Sequence, residues 1–138
     1  MKTLSRPALA IVAAVVILSA SGAFAARSLR DLKDVNEGLA VIAAGDLIQK
    51  NCPTISPRLV RAFFFAKELE AKAKAAGFDD DQIEAYVEDK AEKARVVGIA
   101  RGYLISVGLD PARPETWCEV GLYEIERNSQ IGVLLKAK

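Results

Sequence analysis

The chain has 138 residues, of which 51% are hydrophobic and 27% charged, a composition typical of one globular domain. Nineteen basic and 18 acidic side chains give a formal net charge of +1, which argues against a protein that binds nucleic acid. The sequence has no histidine, so the commonest metal ligand and the commonest general base are missing, and we expect neither a metal site nor a cofactor.

The N-terminus has the three-part pattern of a secretory signal peptide. Lys2 and Arg6 form a short basic start. Residues 8–20 follow without a charge and are rich in aliphatic side chains. Ala23 and Ala25 then supply the small side chains that a signal peptidase accepts. The pattern predicts that the protein is exported to the periplasm or secreted.

Cleavage is expected after Ala25, so that residues 1–25 are the signal peptide and residues 26–138 form a single helical domain. The alternative is an uncleaved N-terminal anchor, because the uncharged stretch 7–26 is just long enough to span a bilayer. No second apolar run of that length follows. After cleavage we therefore expect no association with a membrane.

The first two predicted helices lie on either side of the first cysteine. One begins at Ser28 or Asp34 and ends near Lys50, with apolar residues at helical spacing. The next begins at Ser56, a capping side chain followed by proline, and ends near Ala76, before a glycine. One stripe of this second helix is expected to face the core: Leu59, Ala62, Phe63, Ala66, Leu69, Ala73 and Ala76.

Two further helices complete the predicted domain. The third begins at Asp79, in a capping box, and is expected to continue to Val107. The fourth runs from Pro114 to about Asn128, and a short last turn follows at 131–135. No stretch alternates convincingly enough for a strand. The sequence therefore predicts an all-α bundle of about four helices.

Cys52 and Cys118 both lie in the part of the chain that is predicted to be exported. An even number of cysteines in an oxidising compartment favours a disulfide bond, which would stabilise this fold by about 4 kcal/mol. Their wide spacing excludes a CxxC redox motif, and two sulfurs without histidine are too few for structural zinc. Free reactive or lipidated thiols are the alternative.

Charge is segregated along the chain. Residues 50–76 carry six basic and two acidic side chains, whereas residues 77–92 carry one basic and seven acidic ones. These surfaces either pair within the domain or face charged partners. The run of acids from Asp79 lacks the alternating spacing of a calcium loop and is typical of a helix start.

The run Phe63-Phe64-Phe65 spreads three aromatic side chains over about 200° of one helix, more than a single stripe can bury. Phe64 points away from the expected core stripe, together with Val60 one turn earlier. Either another helix of the domain covers this second face or a partner does.

The apolar C-terminal segment 129–135 poses the same question. It either docks on the core of the domain or is offered to a groove of a partner. The candidate partner-binding residues are therefore Val60, Phe64, Ile131, Leu134 and Leu135.

Five short segments resemble a family of small exported alphaproteobacterial proteins of unknown function. They are Cys52-Pro53-Thr54-Ile55-Ser56-Pro57-Arg58, Ile83-Glu84-Ala85-Tyr86-Val87, Lys90-Ala91-Glu92-Lys93-Ala94-Arg95, Trp117-Cys118 and Ser129-Gln130-Ile131-Gly132-Val133-Leu134-Leu135. The resemblance covers nearly all of residues 29–135. It implies export and a paired Cys52 and Cys118, and it implies no activity, substrate or catalytic residue.

No residue pattern predicts catalysis, since the serines have no histidine to serve as a base. The sequence thus favours a non-catalytic interaction or accessory protein of the periplasm that binds a protein partner. One alternative is a small periplasmic chaperone or stress-response protein that exposes apolar surface on demand. The other is a hydrolase that uses paired carboxylates, which requires raised carboxylate pKa values in a cleft.

Overall fold

A computed structural model describes residues 28–138 of the chain, which are mostly helical. The elements are a 3₁₀ turn (Leu29–Asp31), α1 (Lys33–Asn51), β1 (Ile55–Pro57), α2 (Leu59–Ala75), α3 (Asp80–Glu88), α4 (Lys90–Ser106), α5 (Thr116–Glu126), a second 3₁₀ turn (Gly132–Leu134) and β2 (Leu135–Ala137). Within this part of the chain, no helix is both long enough and apolar enough to cross a membrane. The signal peptide predicted at residues 1–25 lies outside the described residues.

Helix α1 is the central element of the fold, because α2, α4 and α5 all pack against it. The main core gathers buried side chains from α1, α4, α5, β1 and the C-terminal segment. A smaller cluster of Leu29, Val35 and Ala73 joins the N-terminal 3₁₀ turn, α1 and α2. The burial of apolar side chains against one shared helix is the arrangement expected of a small all-α domain.

Cys52 and Cys118 are brought together as predicted. Their sulfur atoms lie 2.05 Å apart, the distance of a disulfide bond, and their Cα atoms are 5.1 Å apart. Cys52 directly follows α1 and is buried, and Cys118 lies in the first turn of α5. The cross-link therefore holds the end of α1 against the start of α5.

The single third helix predicted from Asp79 to Val107 is wrong, because α3 and α4 are separate helices. Its start is as predicted: Asp79 and Gln82 form a capping box. Asp89 is extended, with φ −61° and ψ 124°, and its carboxylate accepts the backbone N–H of Glu92. Asp89 thus ends α3 and caps α4, a local bond that competes with continuation of the helix.

The prediction that no strand forms is also wrong. Strands β1 and β2 pair antiparallel, with Ile55 opposite Ala137 and Pro57 opposite Leu135. Each strand has three residues, too few for an alternating pattern to be visible in the sequence. The pairing places the C-terminus beside the start of α2.

The C-terminal segment docks on the core of its own domain. Ile131, Leu134 and Leu135 are all buried, which favours docking on the core over the alternative that this segment is offered to a partner. Gly132 allows this docking, because a Cβ atom there would lie 1.8 Å from the backbone oxygen of Glu124. Most of the apolar surface of these three side chains is therefore buried within the fold.

We predict that Gly132→Ala destabilises the folded protein. The added methyl group would meet the backbone carbonyl of Glu124, so a stretch of chain has to move, at a cost of at least about 1–3 kcal/mol. Gly98→Ala in α4 is the matched control, because a Cβ there has nothing within 4 Å. It should raise stability by up to about 1 kcal/mol. Urea unfolding of the oxidised proteins measures the stability of wild type and of both variants. Equal stabilities of wild type and Gly132→Ala would contradict the prediction.

Candidate binding surface

Helix α2 has one side that no described residue covers. Leu59, Val60, Phe63 and Phe64 are 72, 70, 57 and 66% exposed. They are spaced so that they form one continuous arc over the first turns of the helix. We call these four side chains the α2 ridge. A contiguous apolar surface of this kind marks a binding site more often than isolated exposed side chains do.

The opposite side of α2 is the one that faces the domain. Leu69 and Ala73 are 3% and 1% exposed. At 100° per residue, Val60 lies about 180° around the helix from Leu69, and Phe64 lies about 180° from Ala73. The outermost part of the ridge therefore points directly away from the body of the protein.

Two attachments hold α2 in this orientation. Leu69 packs so closely on α1 that a Cβ atom at Gly38 would lie 2.3 Å from its Cδ2 atom. At the other end, the backbone N–H of Arg58 donates to the oxygen of Leu134 at 2.7 Å, and its Nε donates to the oxygen of Leu135 at 2.8 Å. The ridge makes neither attachment, and among residues 28–138 nothing covers it.

The core stripe predicted for this helix is only half right. Leu69 and Ala73 are buried as expected, but Leu59 and Phe63 are exposed. Phe63 packs edge-on against Phe64 instead, with ring centroids 5.6 Å apart. The spacing of apolar residues predicted one buried stripe along the whole helix, whereas the fully buried residues of α2, Leu69 and Ala73, lie in its C-terminal half.

A shallow groove of about 200 Å³ adjoins the ridge on the side of α1. Leu59 and Ala62 form one wall of the groove, and Leu134 and Leu135 contribute to it from the C-terminal segment. Asp46 is an acidic residue in its lining and pairs with Lys50 at 2.6 Å. The groove extends the apolar surface without adding an unpaired carboxylate.

A first network of charged side chains lies away from the ridge, around Glu92. Its carboxylate accepts hydrogen bonds from Arg30 and from the Nε of Arg95, the second at 2.8 Å. Arg95 in turn donates to Asn36 and to the hydroxyl of Tyr86. The network thus joins the N-terminal 3₁₀ turn to α1, α3 and α4. Bonds from the two guanidinium groups lower the pKa of Glu92 to about 2.

A second network joins α4 to α5. The fully buried carboxylate of Glu124 accepts the hydroxyl of Tyr103 at 2.8 Å and the Nε of Arg127 at 3.3 Å. Burial, followed by the bond to Glu124, raises the pKa of Tyr103. All three side chains border an apolar cavity of about 310 Å³ between α1, α4 and α5. Neither network is visible in the sequence, because its members are brought together only by the packing of the helices.

The carboxylates whose pKa values are clearly shifted have lowered pKa values. A hydrolase that uses paired carboxylates requires raised pKa values instead. Bonds from Lys67 and Lys74 lower the pKa of Glu70 to about 2, as the arginines do for Glu92. Within residues 28–138, no three histidine, cysteine, aspartate or glutamate side chains are grouped so that they could hold a metal ion.

Residues 28–138 are thus mostly helical, with one pair of cysteines at disulfide distance, and comparison with known families identifies the family. A family described as "Family of unknown function (DUF5333)" matches residues 27–136, and the chain belongs to that family. No curated protein and no solved structure matches it. The family match agrees with the resemblance to a family of unknown function. The alphaproteobacterial origin and the export that the resemblance implied stay predictions.

We predict that Glu92→Gln destabilises the protein in a pH-dependent way. The pKa of Glu92 is lower in the folded protein, about 2, than its ordinary value of 4.5. The stability that its charge provides is therefore complete above about pH 4.5 and is lost as the pH falls towards 2. The difference in unfolding free energy between wild type and Glu92→Gln should be largest near neutral pH and should shrink in acid.

Urea unfolding over this pH range checks the Glu92 prediction. Glu84→Gln is the control, because Glu84 is exposed and has no ion pair among the described residues. The role assigned to this carboxylate would be contradicted if the difference in unfolding free energy between wild type and Glu92→Gln stayed constant from neutral pH to about pH 2.

Proposed function

We propose that this protein is an exported, non-catalytic binding module that acts through the α2 ridge. The single observation that carries the proposal is the exposure of four adjacent apolar side chains, two of them phenylalanines. Burying one such side chain is worth about 1.5–3 kcal/mol. The fold gains little of this free energy from the ridge, so the gain is left for a partner.

A binding role without catalysis is supported by the bonds of the buried polar side chains. Glu92 and Glu124 are both bonded to cationic side chains of the same chain, and these bonds connect separate elements. Asn36 and Thr116, the other buried polar residues, donate to backbone oxygens. Such closed networks are typical of groups that hold a fold together.

Two features support action outside the cytosol. The first is the signal-peptide pattern that ends at Ala25. The second is the pair Cys52 and Cys118, whose sulfur atoms lie at disulfide distance. Structural disulfide bonds persist in oxidising compartments and are rare in the cytosol.

The exposure of the ridge in the folded protein favours a permanently accessible binding surface. It does not favour a chaperone that exposes apolar surface only on demand. Val60 and Phe64 already point away from the body of the folded protein. No segment among residues 28–138 has to move before a partner can reach them. The chaperone alternative requires a covered surface and a conformational change that uncovers it.

We predict that Phe64→Asp abolishes partner binding and leaves the fold intact. Because Phe64 is exposed and contacts Phe63 edge-on, its substitution should lower the unfolding free energy by no more than about 1.5 kcal/mol. Ile99→Asp is the matched control, since Ile99 is also exposed but lies on α4.

Wild type, Phe64→Asp and Ile99→Asp are compared in a total envelope extract of the cells that produce them. The measured quantity is the bound fraction of each protein, which migrates in complexes or sediments with membranes. Wild type and Ile99→Asp should behave alike, and Phe64→Asp should be recovered mainly as free protein. Equal recovery of all three in the bound fraction would refute the proposed function.

A further inference from the structure

We propose that the α2 ridge binds the surface of a bilayer that contains anionic lipids. This inference rests on the proposed function, because it names the partner of the same surface. It replaces the protein partner that the sequence favoured, and it requires no membrane-spanning segment. Three features support it: the charge around the ridge, the shape of the ridge and the position of the acidic residues.

The charge around the ridge is positive. Residues 52–67, which contain β1 and the ridge, have three basic side chains and no acidic one. Residues 128–138 also lack acidic side chains and contribute Lys136 and Lys138. The β1–β2 pairing and the bonds of Arg58 to the C-terminal segment place both stretches at the same end of the molecule.

Acidic side chains of the same chain neutralise only part of this charge, because Lys67 pairs with Glu70 at 2.6 Å. Arg58 and Arg61 have no carboxylate within 4 Å among the described residues. The nearest acids along α2 are Glu68 and Glu70, and both are paired with lysines of that helix. Arg61, which is exposed beside the ridge, is thus available to phosphate groups of a lipid surface.

The shape of the ridge suits a flat and deformable partner. Val60 and Phe64 lie on the convex outer side of a helix, opposite the residues that hold it to the body. An interfacial helix buries its apolar side about 5–10 Å into a bilayer, while arginine side chains extend to the headgroups. α2 can do this without any rearrangement of the domain.

The acidic start of helix α3 is held away from the proposed contact. α2 has 17 residues and is about 25 Å long, and the acidic helix α3 follows at the end remote from the ridge. Asp79, Asp80 and Asp81 begin α3, and all three are exposed. This separation of charge would orient the protein with the ridge towards an anionic surface.

The test is cosedimentation of the protein, as its cells produce it, with two kinds of vesicle. One kind is phosphatidylcholine alone, and the other contains roughly one third phosphatidylglycerol. The proposal predicts binding to the anionic vesicles that weakens with added salt, and much weaker binding to pure phosphatidylcholine.

Four proteins are compared: wild type, Phe64→Asp, Arg61→Glu and Ile99→Asp. Phe64→Asp should bind anionic vesicles at least about tenfold more weakly, because an apolar anchor is lost and a negative charge gained. Arg61→Glu should weaken binding at least about fivefold, the effect of one basic charge at such a surface. Ile99→Asp should bind like wild type.

The proposal fails if wild type does not bind anionic vesicles, if it binds both kinds equally, or if Phe64→Asp binds like wild type. Comparison with the envelope extract separates this failure from failure of the proposed function. If Phe64→Asp is released from complexes in the extract while no protein binds vesicles, the ridge binds a protein and only the lipid assignment is wrong. If Phe64→Asp behaves like wild type in both experiments, both proposals fall.

Discussion

The contact between Gly38 and Leu69 decides which side of α2 is exposed. It brings α2 against α1 so closely that even a methyl group at position 38 would overlap the leucine. The bonds from Arg58 to the C-terminal segment hold the other end of α2 on the same side. With both attachments there, Val60 and Phe64 have to face outward. The candidate binding surface is therefore a consequence of how α2 is anchored.

The anchoring of α2 depends in turn on the rest of the domain. The C-terminal segment that accepts the bonds from Arg58 is held by β2 and by the close approach of Gly132 to α5. The pair Cys52 and Cys118 ties the end of α1 to α5, the two elements on which that segment packs. The network around Glu92 fixes the N-terminal 3₁₀ turn to α4. Most of these attachments join residues far apart in the sequence, so the surface depends on the whole fold.

Local signals in the sequence predicted the helical architecture, the capping box at Asp79 and the pairing of the two cysteines. They also predicted that Phe64 and Val60 point away from the core stripe. They failed where tertiary packing overrides periodicity: Phe63 matches the stripe but is exposed, and Asp89 interrupts an apparently continuous helix. The networks of Glu92 and Glu124 were beyond prediction, because a single charged residue does not indicate which distant side chain will neutralise it.

The claim that matters most is that the ridge is open to solvent in the folded protein. Its most direct test is the rate at which a maleimide labels Phe64→Cys and Leu69→Cys under native conditions, with the Cys52–Cys118 pair oxidised. The thiol at position 64 should react nearly as fast as in urea, while the thiol at position 69 should be strongly protected. Protection at both positions would show that the outer side of α2 is covered, and would contradict the account.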